Sequence, residues 1–431
     1  MKRRILSALM ALAMVAGLMT GCSAPAAGDN SSSEGTSQAE LAPVSKDEIK
    51  VGFVYISDSS DMGYTYNHEL GTKEMQEALG LRDDQIISKY NVPEGAECDT
   101  ALRELAESGC NIIFADSFGH ESFMIEAAKE FPNVQFCHST GVRAHTEGLS
   151  NYHNAFASIY EGRYLAGIAA GLKLNQMIAE GKITADKAKM GYVGAFTYAE
   201  VISGYTSFFL GARSVCPTAT MEVTFTGSWY DETAEKEGAE KLIQNGCVLI
   251  SQHADSMGAP TACEKAGVPN VSYNGSTVSV GPNTYIISSR IDWAPYYVYA
   301  IQAAMDGKTI DADWTGTLAT KSVVLSDLNS NVAADGTQAA IDEAMKKLEN
   351  GELHVFDVST FTVTGENVTA DMKTDAEGHL TSYMADVDND ANMEHDTEVV
   401  HDGYFAESEK RSAPYFDIAI DGIVRLDVNF G

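Results

Sequence analysis

The sequence is short of positive charge. Its 431 residues include 29 Lys and Arg but 61 Asp and Glu, which gives a formal net charge of −32 at pH 7. A surface with this charge repels phosphate backbones. The composition therefore argues against nucleic acid as a partner, while the hydrophobic content of 44% is typical of a folded chain.

The sequence also lacks the motifs of common enzyme and cofactor sites. It contains no GxSxG, HExxH or GxGxxG pattern, and no GxxxxGK followed by Ser or Thr. His253 and Asp255 lie two residues apart and His120 precedes Glu121, but neither arrangement repeats at the spacing of metal ligands. We therefore predict a protein that is not an enzyme, with no catalytic residue, no metal and no cofactor.

The cysteines show no disulfide or metal framework. After Cys22 there is neither a CxxC pair nor a zinc-finger spacing, and we interpret the cysteines as small core residues whose pairing is open. They are Cys98, Cys110, Cys137, Cys216, Cys247 and Cys263. The stretch 386–390 resembles the start of a calcium loop, but Ala391 and Thr397 stand where that loop needs Gly and Glu, which favours a solvated acidic loop.

A long apolar run occurs at the N-terminus. Three cations at 2–4 precede the uncharged residues 5–19, a run shorter than the roughly 20 residues that cross a bilayer. The run ends in Leu-Met-Thr-Gly-Cys at 18–22, which resembles the lipobox at which bacterial lipoproteins are cut and acylated. We predict a signal peptide at 1–21 and a lipid on Cys22, which would anchor the chain to the extracytoplasmic face of the cell membrane.

The stretch 22–48 contains no aromatic residue and is rich in Ala, Ser, Gly and Pro. It cannot bury enough apolar surface to offset the entropy of ordering, so we predict a flexible tether with a reach of about 28 Å. The roughly 380 residues beyond it exceed what one hydrophobic core usually holds, so two lobes are expected.

From Ile49, short β-branched runs alternate with amphipathic stretches, a pattern typical of parallel sheets covered by helices. The rhythm occurs twice. The predicted strands are 51–56, 85–90, 111–114 and 134–137, then 190–195, 221–225, 248–250 and 270–272. The predicted helices are 69–79, 99–108, 121–130, 159–176, 200–212, 234–245 and 259–266.

This pattern predicts two α/β lobes that enclose a hinged cleft. Strand 285–293 and the helix after it are expected to bring the chain back to the first lobe, and 361–363 and 416–424 look like strands. The predicted segments are lobe 1 at 49–157, lobe 2 at 158–275, a return to lobe 1 at 276–316, a crossing segment and helix at 317–351, and a C-terminal appendage at 352–431.

Ligands of open α/β sheets bind beyond the carboxyl ends of the strands. Polar and aromatic residues follow those ends in both predicted lobes, and such a mixture suits a planar ligand with polar edges. These residues are 57–59, 116–118, 138–140, 196–197, 229–231, 252–255 and 274–276.

Seven short stretches stand in a specific order. They are DMGYTYNHELG at 61–71, SFG at 117–119, YEGRYLAG at 160–167, LGARSV at 210–215, SWYD at 228–231, QHADS at 252–256 and WAPYY at 293–297. Together they resemble the basic membrane protein (BMP, PnrA-like) family of substrate-binding lipoproteins of ABC importers, over about 49–316. The resemblance implies the type I periplasmic-binding-protein architecture, in which each lobe is a mostly parallel sheet flanked by helices, with the C-terminal appendage outside the match.

The resemblance further implies a purine nucleoside or base clamped between one ring from each lobe. Tyr64 stands where many relatives place the first-lobe Trp or Phe, and Trp229 stands at the second-lobe ring. Thr65, Ser117 and Asp255 would bond to the edges or sugar of the ligand.

Phe118 completes the candidate ligand-binding residues of the first lobe, and Asn274 those of the second. Relatives commonly have Asp at the position of Asn274, and because an amide both donates and accepts, the exact ligand is left open. The resemblance also implies an ABC permease as partner, and a monomer is the default for a receptor that opens and shuts.

Two other functions stay open from the sequence. The chain could be a receptor for a different small molecule, a sugar or a signal molecule, which the departure at Asn274 favours. It could also be a surface lipoprotein whose partner is another protein, bound through the appendage.

Overall fold

A computed structural model of the chain describes residues 42–387 and 394–427. The predicted signal peptide at 1–21, Cys22 and most of the tether lie outside the described residues, as do residues 388–391 of the acidic loop. In the part of the chain that is described, no helix combines the length and apolar character needed to cross a membrane.

The first lobe is built on a six-stranded parallel sheet, whose central strands are buried on both faces and therefore read as apolar runs. In spatial order the strands are β11 (Asp313–Gly316), β5 (Tyr152–Ala157), β4 (Gln135–Ser139), β3 (Ile112–Ala115), β1 (Val51–Val54) and β2 (Ile86–Lys89). Its helices are α1 (Tyr64–Leu79), α2 (Ala96–Glu107), α3 (Glu121–Glu130), α4 (Ala144–Glu147) and α9 (Ala294–Asp306).

The second lobe is built on a seven-stranded sheet that is parallel except at one edge, where the first strand named below is antiparallel to its neighbour. In spatial order the strands are β12 (Val323–Leu325), β10 (Tyr285–Ile291), β9 (Asn270–Tyr273), β8 (Leu249–His253), β6 (Lys189–Gly194), β7 (Thr220–Phe225) and β18 (Ile423–Arg425). Its helices are α6 (Ala199–Val215), α7 (Glu232–Gln244) and α8 (Gly258–Ala266). The fold is thus the predicted pair of α/β lobes.

The long helix α5 (Ile159–Ala179) carries the chain from the first sheet to the second, and α10 (Thr337–Glu349) packs against it. From α5 the fully buried Arg163 reaches the second sheet. Its guanidinium donates to the Ser272 carbonyl at 3.1 Å, and to the Tyr192 hydroxyl and the Ser251 Oγ, each at 2.9 Å. Because these acceptors lie on β9, β6 and β8, one side chain ties three strands to the connecting helix.

The predicted return to the first lobe at 276–316 is wrong in its first half. Strand β10 pairs with β9 and β12, so it belongs to the second sheet. The return is made afterwards, by α9 and β11. Strand β5 was not predicted, because its sequence Tyr-His-Asn-Ala-Phe-Ala mixes polar and apolar residues although all six are buried.

The C-terminal appendage is less regular than predicted. Its short strands are β13 (Met372–Thr374), β14 (Leu380–Ala385), β15 (Thr397–Glu398), β16 (Val400–His401) and β17 (Tyr404–Phe405). The predicted strand 361–363 does not form, and of 416–424 only the last two residues are in a strand, β18. The apolar residues Phe361 and Phe416 that suggested strands are instead buried in the core without pairing in a sheet. There Phe416 stacks on Phe356, with ring centroids 4.2 Å apart.

The appendage contacts both lobes. Its Ser412 backbone N–H donates to Asp313 of the first lobe at 3.1 Å, while β18 pairs with β7 of the second. The six cysteines after Cys22 are all buried and free, in agreement with their interpretation as core residues.

Candidate ligand-binding site

A cavity of about 390 Å³ lies between the lobes, at the carboxyl ends of the strands. Its lining residues are Ile56, Tyr64, Ser117, Phe118 and Thr140 from the first lobe, and Glu200, Trp229, His253, Asp255, Tyr273 and Asn274 from the second.

Tyr64 is the first residue of α1, five residues before the predicted start of the helix. The helix begins early because the buried Asp61 carboxylate accepts from the backbone N–H groups of Gly63, Thr65 and Tyr66 at 2.9–3.0 Å. These bonds satisfy donors that would otherwise be free at the helix N-terminus. Asp61 therefore fixes the position of Tyr64 at the cavity.

Each of the two predicted clamp rings is supported by other rings of its surroundings. Tyr64 meets His68 edge-on at 4.5 Å and Trp293 at 6.2 Å. Trp229 meets Phe196 edge-on, with ring centroids 5.0 Å apart. Both rings line the same cavity from opposite lobes, which is the arrangement that a clamp requires.

The structure brings six of the seven predicted ligand-binding residues to this cavity: Tyr64, Ser117, Phe118, Trp229, Asp255 and Asn274. Thr65 does not line it. The Thr65 hydroxyl is buried and donates to Asp116 at 3.3 Å, because the second residue of α1 points behind the first.

Further lining residues were not among the predicted ligand contacts. Thr140 follows β4 and His253 ends β8, and both stand among the strand-end residues that the sequence indicates. Tyr273 ends β9 and is the one that the strand-end rule could have added. Glu200 lies in the first turn of α6 and carries no such signal.

The carboxyl groups of Glu200 and Asp255 line the cavity, and none of its described lining residues is Lys or Arg. Burial, and then the charges of Asp61 and Glu235, raise the pKa of Asp255 well above its usual value. Behind the cavity, burial raises the pKa of Asp116 to about 8. The site therefore disfavours anionic ligands.

Asn274 lies beside Asp255, and its amide Nδ2 donates to the Asp255 Oδ1 at 2.9 Å. Its φ of 64° is left-handed, a conformation that Asn tolerates better than most residues. The amide thus orients Asp255 without adding charge.

Replacing Asn274 with Asp should destabilise the protein increasingly between pH 4 and pH 7.5, by about 1–3 kcal/mol. The raised pKa of Asp255 already makes the folded wild type hold a proton that the unfolded state releases. A second buried carboxyl beside it would be held protonated as well, so the folded variant carries one proton more and loses stability as the pH rises above the usual pKa of Asp. Thermal unfolding across this pH range measures the effect. Asn283→Asp is the matched control, since its amide donates to Glu264 at 2.6 Å at an exposed position. Equal losses for the two variants would contradict the argument.

The lobes are in contact around the cavity. Phe118 of the first lobe stacks on Tyr198 of the second, with ring centroids 5.3 Å apart. At Gly275 a Cβ atom would lie 2.1 Å from the Met62 carbonyl oxygen, so only glycine permits this approach. The structure is therefore that of the closed cleft.

The fold and the site thus define the class of architecture: two α/β lobes with a closed cleft between them. A sequence model of the family described as ABC transporter substrate-binding protein PnrA-like matches residues 48–355. The chain belongs to this family of substrate-binding proteins, which bind small-molecule ligands on the extracytoplasmic side of the membrane for a permease.

Two relatives match most of the chain. A purine-binding protein of Brucella abortus is 32% identical over 350 residues, which cover 80% of this chain and 89% of the relative. A putative ABC transporter glucose-binding protein of Haloferax volcanii is 31% identical over 322 residues, covering 74% and 77%.

Solved structures share the fold. An ABC transporter solute-binding protein of Aeropyrum pernix has a TM-score of 0.61 at 18% identity, and covers 74% of this chain and 94% of its own. One from Conexibacter woesei has a TM-score of 0.57 at 20% identity, covering 71% and 98%.

Proposed function

We propose that this protein is the receptor of an ABC importer for a purine nucleoside or purine base. The observation that carries the proposal is the presence of Tyr64 and Trp229, from opposite lobes, on the lining of one cavity. Two rings in this arrangement can stack on both faces of a flat heterocycle. The stacking stabilises the closed cleft only when the ligand fills the gap between the rings. The purine-binding relative at 32% identity supports the same ligand class.

The polar atoms around the cavity suit such a ligand. The buried hydroxyls of Tyr64 and Tyr273 have no hydrogen-bond partner among the described residues. A buried polar group without a partner is costly, so both hydroxyls favour a ligand that bonds to them. Asp255 and Ser117 add an acceptor and a hydroxyl on either side of the cleft.

The wider cycle follows from this role. The mature chain, acylated at Cys22 and held by the tether, would close over the ligand as a monomer and deliver it to the permease. Labelling with radioactive palmitate tests the anchor, and labelling that persists in Cys22→Ser would contradict it.

Thermal unfolding of the full chain with candidate ligands tests the ligand class. A ligand that binds only the folded state raises the melting temperature in proportion to the logarithm of its concentration over its Kd. We expect stabilisation by adenosine, guanosine, inosine or adenine and none by glucose or ribose. Stabilisation by glucose alone would replace the proposal with a sugar receptor, as the Haloferax relative suggests. A shift with none of these compounds would favour a protein partner.

A further inference from the structure

His253, the last residue of β8, lies at the floor of the cavity and is 3% exposed. Its Nδ1 is 3.4 Å from the Tyr192 hydroxyl oxygen, and its Nε2 is 3.5 Å from the Glu200 Oε1. The ring also packs against Tyr273, with ring centroids 4.5 Å apart. Each ring nitrogen thus faces a different neighbour.

The hydrogen bonds around Tyr192 decide where the proton of His253 resides. Arg163 donates to the Tyr192 oxygen at 2.9 Å, so the hydroxyl hydrogen of Tyr192 is free to point at the His253 Nδ1. Burial lowers the pKa of His253, which keeps the ring neutral. With Nδ1 accepting, the single ring proton lies on Nε2, and His253 presents a donor toward Glu200 and the cavity.

Helix α6 provides the other half of the arrangement. Glu200 and Gly204 lie one turn apart on α6 and therefore on the same face. A Cβ at Gly204 would lie 2.6 Å from the His253 Nδ1, so a glycine is needed there to let the ring stand beside the helix. The donor of His253 and the acceptor of Glu200 are consequently held side by side at the cavity.

We propose that His253 and Glu200 together read one edge of the ligand. His253 Nε2–H donates to a ring nitrogen or carbonyl oxygen, and the Glu200 carboxylate accepts from the neighbouring amino or ring N–H group. The buried Nε2 lies 3.5 Å from the Glu200 Oε1, a contact too long to be a good hydrogen bond, so the proton on Nε2 is available to a ligand acceptor. This inference rests on the proposed function and narrows it to purines with an acceptor beside a donor, the 6-amino and 6-oxo purines.

Isothermal titration with three probes tests the pair: adenosine, inosine and purine riboside, which lacks the donor at this edge. We expect the wild type to bind purine riboside at least about tenfold more weakly than the better of the other two. Glu200→Met should weaken adenosine or inosine about tenfold and change purine riboside little. His253→Leu should weaken all three, and His253→Gln, which keeps a donor, should recover most of the loss.

Glu232→Met is the matched control, because Glu232 also lies in the first turn of its helix, α7, but is exposed. Nitrogen NMR of the wild-type histidine rings adds a measurement that needs no variant, and it should show His253 protonated on Nε2 at pH 7. If Glu200→Met weakened the binding of all three probes equally, or if the proton of His253 were on Nδ1, the proposed His253–Glu200 pair would be wrong while the proposed function would stand. Absence of purine binding by the wild type would overturn the proposed function together with it.

Discussion

Replacing Trp229 with alanine is expected to weaken purine binding by about 5- to 150-fold, with a similar loss for Tyr64→Ala. Stacking of an aromatic side chain on a base contributes about 1–3 kcal/mol, and each 1.4 kcal/mol is a factor of ten. Since the two rings lie on opposite lobes of one cavity, the double variant should bind too weakly to raise the melting temperature.

Tyr230→Ala provides the matched control for Trp229→Ala. Tyr230 is the next residue in the chain, but its ring is 48% exposed. Its removal should change the Kd by less than about threefold. The Kd values are measured by titration with adenosine or inosine, whichever binds more tightly. If Trp229→Ala and Tyr230→Ala behave alike, the clamp is wrong even though the family assignment stands.

Replacing Arg163 with alanine is expected to lower the free energy of unfolding by about 3–5 kcal/mol, because a large buried side chain and the hydrogen bonds that it donates are lost. This is the largest effect on stability that we predict. The change leaves the Ser272 carbonyl and the Ser251 hydroxyl buried without their donor. It also removes the cation that packs on the Tyr273 ring at 5.0 Å. Arg163→Lys should lose most of this stability as well, since one ammonium cannot reproduce the fork of a guanidinium.

Urea unfolding measures the loss, and Arg213→Ala is the control. Arg213 also lies over a ring, Phe209 at 5.4 Å, but it is half-buried near the end of α6. Its removal should cost less than about 1 kcal/mol. A small loss for Arg163→Ala would show that the three strands do not depend on its bonds.

The alternation of apolar runs and amphipathic helices predicts the two lobes because a parallel sheet buried on both faces selects β-branched residues over whole strands. It fails at β5, where Tyr152, His153 and Asn154 are buried with their polar groups bonded to other side chains. The pairing of β10 also escapes a local pattern. The sequence of a strand looks the same whichever sheet it joins. Only the pairing of β10 with β9 and β12 assigns it to the second sheet.

The candidate site was largely predictable because ligands of such sheets bind at the strand ends, where Ser117, Trp229 and Asn274 stand. Thr65 does not line the cavity, since the capping of α1 by Asp61 turns it inward, and its contact with a ligand stays a prediction. Arg163 and Glu200 lie on helices, and the importance of each depends on what a neighbouring strand brings to it. A buried guanidinium or a cavity-facing carboxylate leaves no mark on the local sequence, because both are products of packing at a distance.

The C-terminal segment bridges the two lobes. At one end, Ser412 is hydrogen-bonded to Asp313 in the edge strand β11 of the first sheet. At the other end, β18 pairs with β7 and forms an edge strand of the second sheet. The roughly eleven residues between these two attachment points span at most about 36 Å when fully extended. The two attachment points can therefore move no farther apart than this while the Ser412 hydrogen bond and the β18 pairing persist. Residues beyond 355, which the family match does not include, thus add a covalent connection between the lobes.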